Sequence, residues 1–198
     1  MRTVRLGRTE VSVSAVSYGT WPFSGLSMAG DRSVGWTGHD DGLALSALRV
    51  AHEVGIRHWD TADVYGDGRS ERLIGAVWED VDRDAVYLAT KTGWNPGSYE
   101  HFYHPDQVRA QLEGSLKRLR TDRIDLFYLH HCDFGPSDRY LDDALEVLHE
   151  ARDRGLIRHI GLSDWDCARV AERLDRVDPD VVQIYRNVRE DEYVTSGL

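Results

Sequence analysis

The sequence predicts an α/β fold of the barrel type, an incomplete (β/α)8 barrel with an N-terminal hairpin and about six parallel strands. Three observations carry that expectation. Strand-like and helix-like segments alternate along the chain, and such alternation builds a parallel sheet because each helix returns the chain across it. The strand cores "DLFYL" and "DVVQI" are apolar at both parities, as in strands covered on both faces. The first strand–helix connection is a long aromatic loop without G-x-G-x-x-G, which disfavours a doubly wound dinucleotide fold and leaves the barrel.

The elements follow in order. "TVRL" and "VSVS" flank the turn "GRTE" and read as an opening hairpin. "AVSYGT" is a strand ending in glycine, followed by the loop "WPFSGLSMAGDRSVGWTGH"; a loop this long is more often functional than idle. "DDGLALSALRVAHEVG" is a helix with Asp40 or Asp41 as cap and Gly55 as its left-handed stop. "IRHWD" is a strand, and "SERLIGAVWED" a helix with Glu71 near its positive end. "AVYLATK" is a strand, and "HPDQVRAQLEGSLKRLR" a helix with Pro105 at the favoured first position. "IDLFYLH", "LDDALEVLHEARDRG", "IRHIGLS", "WDCARVAERLDRV" and "DVVQIY" continue the alternation as strand, helix, strand, helix, strand. After the hairpin this makes six strands joined by five helices, with no internal repeat or linker, so residues 1–198 are expected to form one domain.

Composition bounds the function. The chain has 198 residues, is 41% hydrophobic and 29% charged, and carries a net charge of −10. An acidic chain without a basic tract is a poor match to nucleic acid or to an anionic membrane surface. No apolar run is long enough to span a bilayer, and the first residues hold no apolar signal core. Two cysteines, Cys132 and Cys167, suggest a reducing compartment, with the cytoplasm as default.

Chemistry in a barrel of this type sits at the carboxyl ends of the strands. Those ends carry Thr20 and Trp21; Asp60, with Tyr65 just beyond; Lys91; His130; Ser163 and Asp164; and Gln183. Singly, each has an ordinary reading: a turn-forming Asp, a packing Tyr, a solvated Lys, a hydrogen-bonded His. Together, an acid, a phenol, an amine and an imidazole stand on three successive strand ends. A phenol's pKa of about 10 is high for proton donation at neutral pH. A nearby ammonium favours the phenolate, and a carboxylate holds that ammonium charged and in place. An imidazole can orient a carbonyl oxygen or help to move the proton. The set suits delivery of a proton to a developing alkoxide, the acid half of carbonyl reduction, with hydride from a nicotinamide. "HHCD" is a weak metal candidate, since neighbours on a strand face opposite ways, and no metal site is expected.

"DTADVYGDGRSERLIG", "LATKTGW", "DLFYLHHCD" and "IGLSDW", with the opening "LGRTEVSVSAVSYGTW" and "GWTGHDDGLALSALRVAHEVGI", resemble the aldo-keto reductases over nearly the whole chain. The resemblance implies that Asp60, Tyr65, Lys91 and His130 are a catalytic tetrad with Tyr65 as proton donor. It implies that Thr20, Ser163, Asp164 and Gln183 line the nicotinamide of NADPH, and that Trp21 and Trp94 wall the pocket of a small carbonyl or alcohol substrate. Position 164 is usually Asn in that family, "YRN" here follows Gln183 where the family tends to continue with Tyr-Asn, and the family's barrels have eight strands.

Two other readings stay open. One is a cofactor-free lyase, isomerase or cyclase on the same tetrad; the other is a non-catalytic subunit or binding module. The edges of "AVSYG" and "DVVQIY" would be open in a barrel of this size, and open edges template association. A homo-oligomer, or a second polypeptide completing the barrel, is therefore expected.

Overall fold

A computed structural model of the chain describes residues 1–29, 32–95, 97–189 and 192–198. Residues 30–31 of the expected long loop and 190–191 of the polar tail lie outside the described residues. The chain opens with β1 (Thr3–Arg5) and β2 (Ser12–Ser14), paired antiparallel with Val4 opposite Val13. The sheet strands and their crossovers then alternate: β3 (Ser17–Gly19), α1 (Asp41–Glu53), β6 (His58–Asp60), α2 (Arg69–Val77), β7 (Tyr87–Thr92), α3 (Pro105–Arg118), β8 (Ile124–Leu129), α4 (Leu141–Asp153) and β9 (Ile157–Asp164). α5 (Cys167–Ala171) and α6 (Leu174–Val177) lead to β10 (Val181–Ile184), and α7 (Glu192–Thr195) lies near the end. β4 (Leu26–Ala29) and β5 (Arg32–Gly35) sit between β3 and α1.

The six long-range strands form one parallel sheet in the order β10-β9-β8-β7-β6-β3, curved as part of a barrel. Each strand's sequence neighbour in the alternation is its spatial neighbour, the usual arrangement for strands joined by short crossovers. Alternate residues divide the strands between two cores. Leu88, Phe127, Leu129, Ile160 and Leu162 pack outward beneath the helices. Ala89, Leu126, Tyr128 and Val181 point inward, where Val13, Leu6 and Val11 of the opening hairpin plug the barrel. Gly161 makes room for this inner layer: a Cβ there would lie 2.2 Å from the Tyr128 ring. No helix among the described residues is long and apolar enough to cross a membrane.

The caps follow the sequence. Asp40 accepts from the Leu43 N–H at 2.8 Å, Gly55 takes φ +88°, and Pro105 opens α3. Two expectations need correction. The loop after β3 carries its own antiparallel pair, β4 with β5. The helix expected over "WDCARVAERLDRV" is two short pieces that meet at Glu172 and Arg173, where the Arg173 guanidinium donates twice to Asp138, at 3.2 and 3.0 Å.

Candidate active site

Asp60 closes β6, and the chain beyond it stays locked to β7, with Thr61 N–H donating to the Ala89 carbonyl and Asp63 N–H to the Lys91 carbonyl. The following turn is held from two sides. Gly66, at φ +62°, presses so closely on Ser24 that a Cβ would lie 2.1 Å from the Ser24 carbonyl. Ser70 donates to Thr20 Oγ1 at 2.7 Å, and Thr61 donates to Ser70 at 2.9 Å. A rigid turn of this kind fixes the position of Tyr65.

Lys91 is buried on the inward face of β7. Its Nζ donates to Asp60 Oδ1 at 2.5 Å and to the Thr61 carbonyl at 2.8 Å, and lies 5.4 Å from the centre of the Tyr65 ring. Asp60 Oδ2 accepts from Gln183 Nε2 at 3.1 Å, so β10 is tied to β6 across the barrel. The Tyr65 ring stacks on Trp21, 6.1 Å between centroids, and meets His130 edge-on at 5.9 Å. Asp60, Tyr65, Lys91 and His130 thus converge on one cleft of about 270 Å³, which Trp21, Ser163, Asp164 and Gln183 also line.

Burial lowers the Lys91 pKa, but the adjoining Asp60 charge and Tyr65 hydroxyl more than offset it, and the ammonium is held above its ordinary value. For Tyr65 burial wins: it raises the phenol, Lys91 lowers it by charge and hydrogen bond, and Asp60 and Asp63 raise it again. The net shift is upward, contrary to the lowering that the ammonium alone leads one to expect, because burial outweighs the effect of Lys91 and the Asp60 and Asp63 charges add to it. Burial, then Lys91 and His131, holds His130 well below the usual imidazole range, so its ring is neutral; its buried Nδ1 has no hydrogen-bond partner among the described residues.

Three expected site residues stand differently from their neighbours. Thr20 is fully buried outside the cleft lining, and its hydroxyl donates to the Asp60 carbonyl at 3.0 Å; it braces the end of β6. Trp94 is not in the cleft lining either, and packs 4.3 Å from His131 and 6.1 Å from His130 at the rim. Asp164 lines the cleft, yet both its oxygens are engaged: Oδ2 accepts from the Cys132 N–H at 2.7 Å and Oδ1 from the Asp166 N–H at 3.0 Å. An Asn has one carbonyl oxygen for two such donors, which gives the acid at this position a structural reason. His131 turns away from His130, bonding the Gly93 carbonyl and accepting from the Asp133 N–H. Cys132 is buried, with its thiol pushed up to about 12, and is inert.

The cleft also includes Trp165, Tyr185 and Arg186, which lie one or two residues past the strand ends and were not named from the sequence. Behind Tyr65 stands a buried acidic pair, Glu71, read from the sequence only as a first-turn acid of its helix, and Asp63, which was not named from the sequence. Asp63 Oδ2 accepts from Thr92 at 2.8 Å, and Glu71 accepts from Thr90 and Arg118, each at 2.6 Å.

Comparison with known proteins agrees with this architecture. The model of the Aldo/keto reductase family matches residues 15–195. The chain is 33% identical to the aldo-keto reductase YhdN of Bacillus subtilis, over 96% of this chain and 56% of that protein. It is 28% identical to the NADH-specific methylglyoxal reductase of Escherichia coli, over 92% of this chain and 58% of that protein. Among solved structures, the holo form of aldo-keto reductase AKR11C1 from Bacillus halodurans superposes with a TM-score of 0.75 at 26% identity, covering 94% of this chain and 58% of that one. The chain spans about half the length of the curated relatives it matches. With a family match across almost all of its residues and the matching half-barrel, the chain belongs to the aldo/keto reductase family.

Proposed function

We propose that this protein reduces an aldehyde or ketone, or oxidises the corresponding alcohol, with NADPH as cofactor and Tyr65 as proton donor. The observation that supports this best is the buried Asp60–Lys91 pair set against Tyr65 inside one cleft. A raised phenol keeps its proton at neutral pH until a stronger base develops beside it. As a carbonyl oxygen takes on negative charge, Tyr65 Oη passes its proton there, and Lys91 stabilises the phenolate left behind, an interaction stronger in the transition state than before it. Asp60 keeps Lys91 charged and fixed. Neutral His130, edge-on to Tyr65, can orient the carbonyl oxygen.

The nicotinamide, when bound, supplies the hydride. The residues present fit such a group: the Ser163 hydroxyl and the Gln183 amide line the same cleft as Tyr65 and offer the donors and acceptors a carboxamide takes. Asp164 contributes by holding the Cys132 and Asp166 backbone rather than by donating. Among the described residues β3 pairs only with β6 and β10 only with β9, so we further propose that a second copy or another polypeptide covers these edges. The test is titration of tryptophan emission with NADPH, followed by NADPH consumption against a panel of aldehydes and ketones. Saturable quenching with turnover supports the reading. Absence of both, in the chain alone and in its assembled form, contradicts it and turns attention to acid–base chemistry without a cofactor.

A further inference from the structure

Resting on the reading of the cleft as a carbonyl-reducing site, we propose that Arg186 makes this cleft an oxyanion site, which binds a ligand through a carboxylate or phosphate group. The argument begins with β10. Gln183 is anchored to Asp60, so the chain leaving β10 stays at the mouth of the cleft, and Tyr185 and Arg186 line it. The other charges of the lining are already matched. Lys91 is paired with Asp60, and the Asp164 carboxylate takes two backbone N–H groups and lies 3.7 Å from Arg169. His130 is neutral. Among the described residues, the charge left over is that of Arg186.

That guanidinium is held by an aromatic residue instead of an acid. Nη1 donates to the Tyr193 hydroxyl at 2.8 Å, and the guanidinium carbon sits 4.6 Å over the Tyr193 ring. Among the described residues no carboxylate pairs with it. A guanidinium has five N–H donors in a planar fork, and one is spent. The rest form the kind of surface that grips carboxylate or phosphate in two-point fashion. Beside it stand Trp165 and Tyr185, 57% and 47% exposed, with ring centroids 5.0 Å apart. Such exposed aromatic area on a cleft wall suits a flat apolar body attached to the anion. On a chain of net charge −10, which repels anions at range, a cation at the cleft wall with no carboxylate partner among the described residues is a selective place for one to bind. The anion can come from two sources, the carboxylate of an oxo-acid substrate or the phosphates of the dinucleotide.

Tryptophan emission of the full chain, with Trp21 and Trp165 in the cleft wall, distinguishes them. The probes are 2-oxobutyrate, its neutral counterpart butan-2-one, and inorganic pyrophosphate, each titrated into wild type, Arg186→Leu and Arg186→Lys. A charge-assisted hydrogen-bonded pair is worth roughly 10- to 100-fold in affinity. At least one anion is expected to saturate the wild type, to weaken about 10-fold or more in Arg186→Leu, and to recover in part in Arg186→Lys, while the response to butan-2-one is unchanged. A response confined to 2-oxobutyrate assigns the site to a substrate carboxylate, and one confined to pyrophosphate assigns it to the cofactor. Equal affinity of wild type and Arg186→Leu for both anions, or no saturable response to either in wild type, overturns the inference. Arg186-dependent anion binding in a protein that reduces no carbonyl would leave this site standing and remove the oxidoreductase reading. Carbonyl reduction with anion affinity indifferent to Arg186 would do the reverse.

Discussion

Asp63→Asn tests whether the acid behind Tyr65 is held in a protonated state. Asp63 is buried; its Oδ2 accepts from Thr92, and its Oδ1 has no partner among the described residues. Burial, and then the Glu71 charge, push its carboxyl from 3.8 up to about 7. Below about pH 4 the folded and unfolded chains both carry the proton, and the stability from the raised value is fully present. As pH rises, the unfolded chain releases its proton first, so that stability is lost progressively until the folded group ionises near 7. About three units at about 1.36 kcal/mol each give a loss of roughly 4 kcal/mol across that window. Asn keeps the shape and the acceptor for Thr92 without the charge. Urea unfolding of wild type and Asp63→Asn at about pH 5, 6, 7 and 8 is the assay, read as the difference between the two so that other titrating groups cancel. The variant is expected to gain on wild type at each step up to about pH 7 and then hold level. Parallel stability profiles would show that Asp63 ionises like an exposed acid and that the packing argument around it is wrong.

Two further substitutions probe the same structure. Lys91→Met leaves the Asp60 carboxylate without its buried partner, and removal of one member of a buried pair costs about 3–5 kcal/mol. Thermal unfolding checks the loss, and a tyrosine titration that moves further upward confirms that Lys91 had been lowering Tyr65. Asp164→Asn leaves either the Cys132 or the Asp166 N–H without an acceptor, for a loss of about 1–3 kcal/mol; an unchanged urea midpoint contradicts the role assigned to that carboxylate.

Much of the barrel was legible because its signals are local. Apolar strands of two parities, the caps at Asp40 and Gly55 and Pro105 at the head of α3 all act within a few residues of themselves. Of the residues that the strand-end rule picked out, Trp21, Asp60, Lys91, His130, Ser163, Asp164 and Gln183 line one cleft, and Thr20 does not. Long-range contacts escaped it. At the break between α5 and α6, Arg173 reaches Asp138, thirty-five residues away. Thr20 sits at a strand end like its neighbours, yet its hydroxyl turns to Ser70 and the Asp60 carbonyl. The upward shift of Tyr65 needed the depth of its burial, which no spacing reveals, and the raised carboxyl of Asp63 depends on its burial and on Glu71 beside it, neither of which was read from the sequence.

The most direct test of the account is Tyr65→Phe. The substitution removes one hydroxyl and almost no volume, so the stacking on Trp21 and the edge contact with His130 persist. NADPH oxidation by the protein with a panel of aldehydes is the measurement, wild type against variant, alongside circular dichroism to establish that the fold is kept. The account predicts a loss of turnover of about 10²- to 10⁴-fold, the contribution of general acid catalysis, with NADPH affinity unchanged. Turnover within a few-fold of wild type in a folded variant would contradict it and place the proton donor on another group.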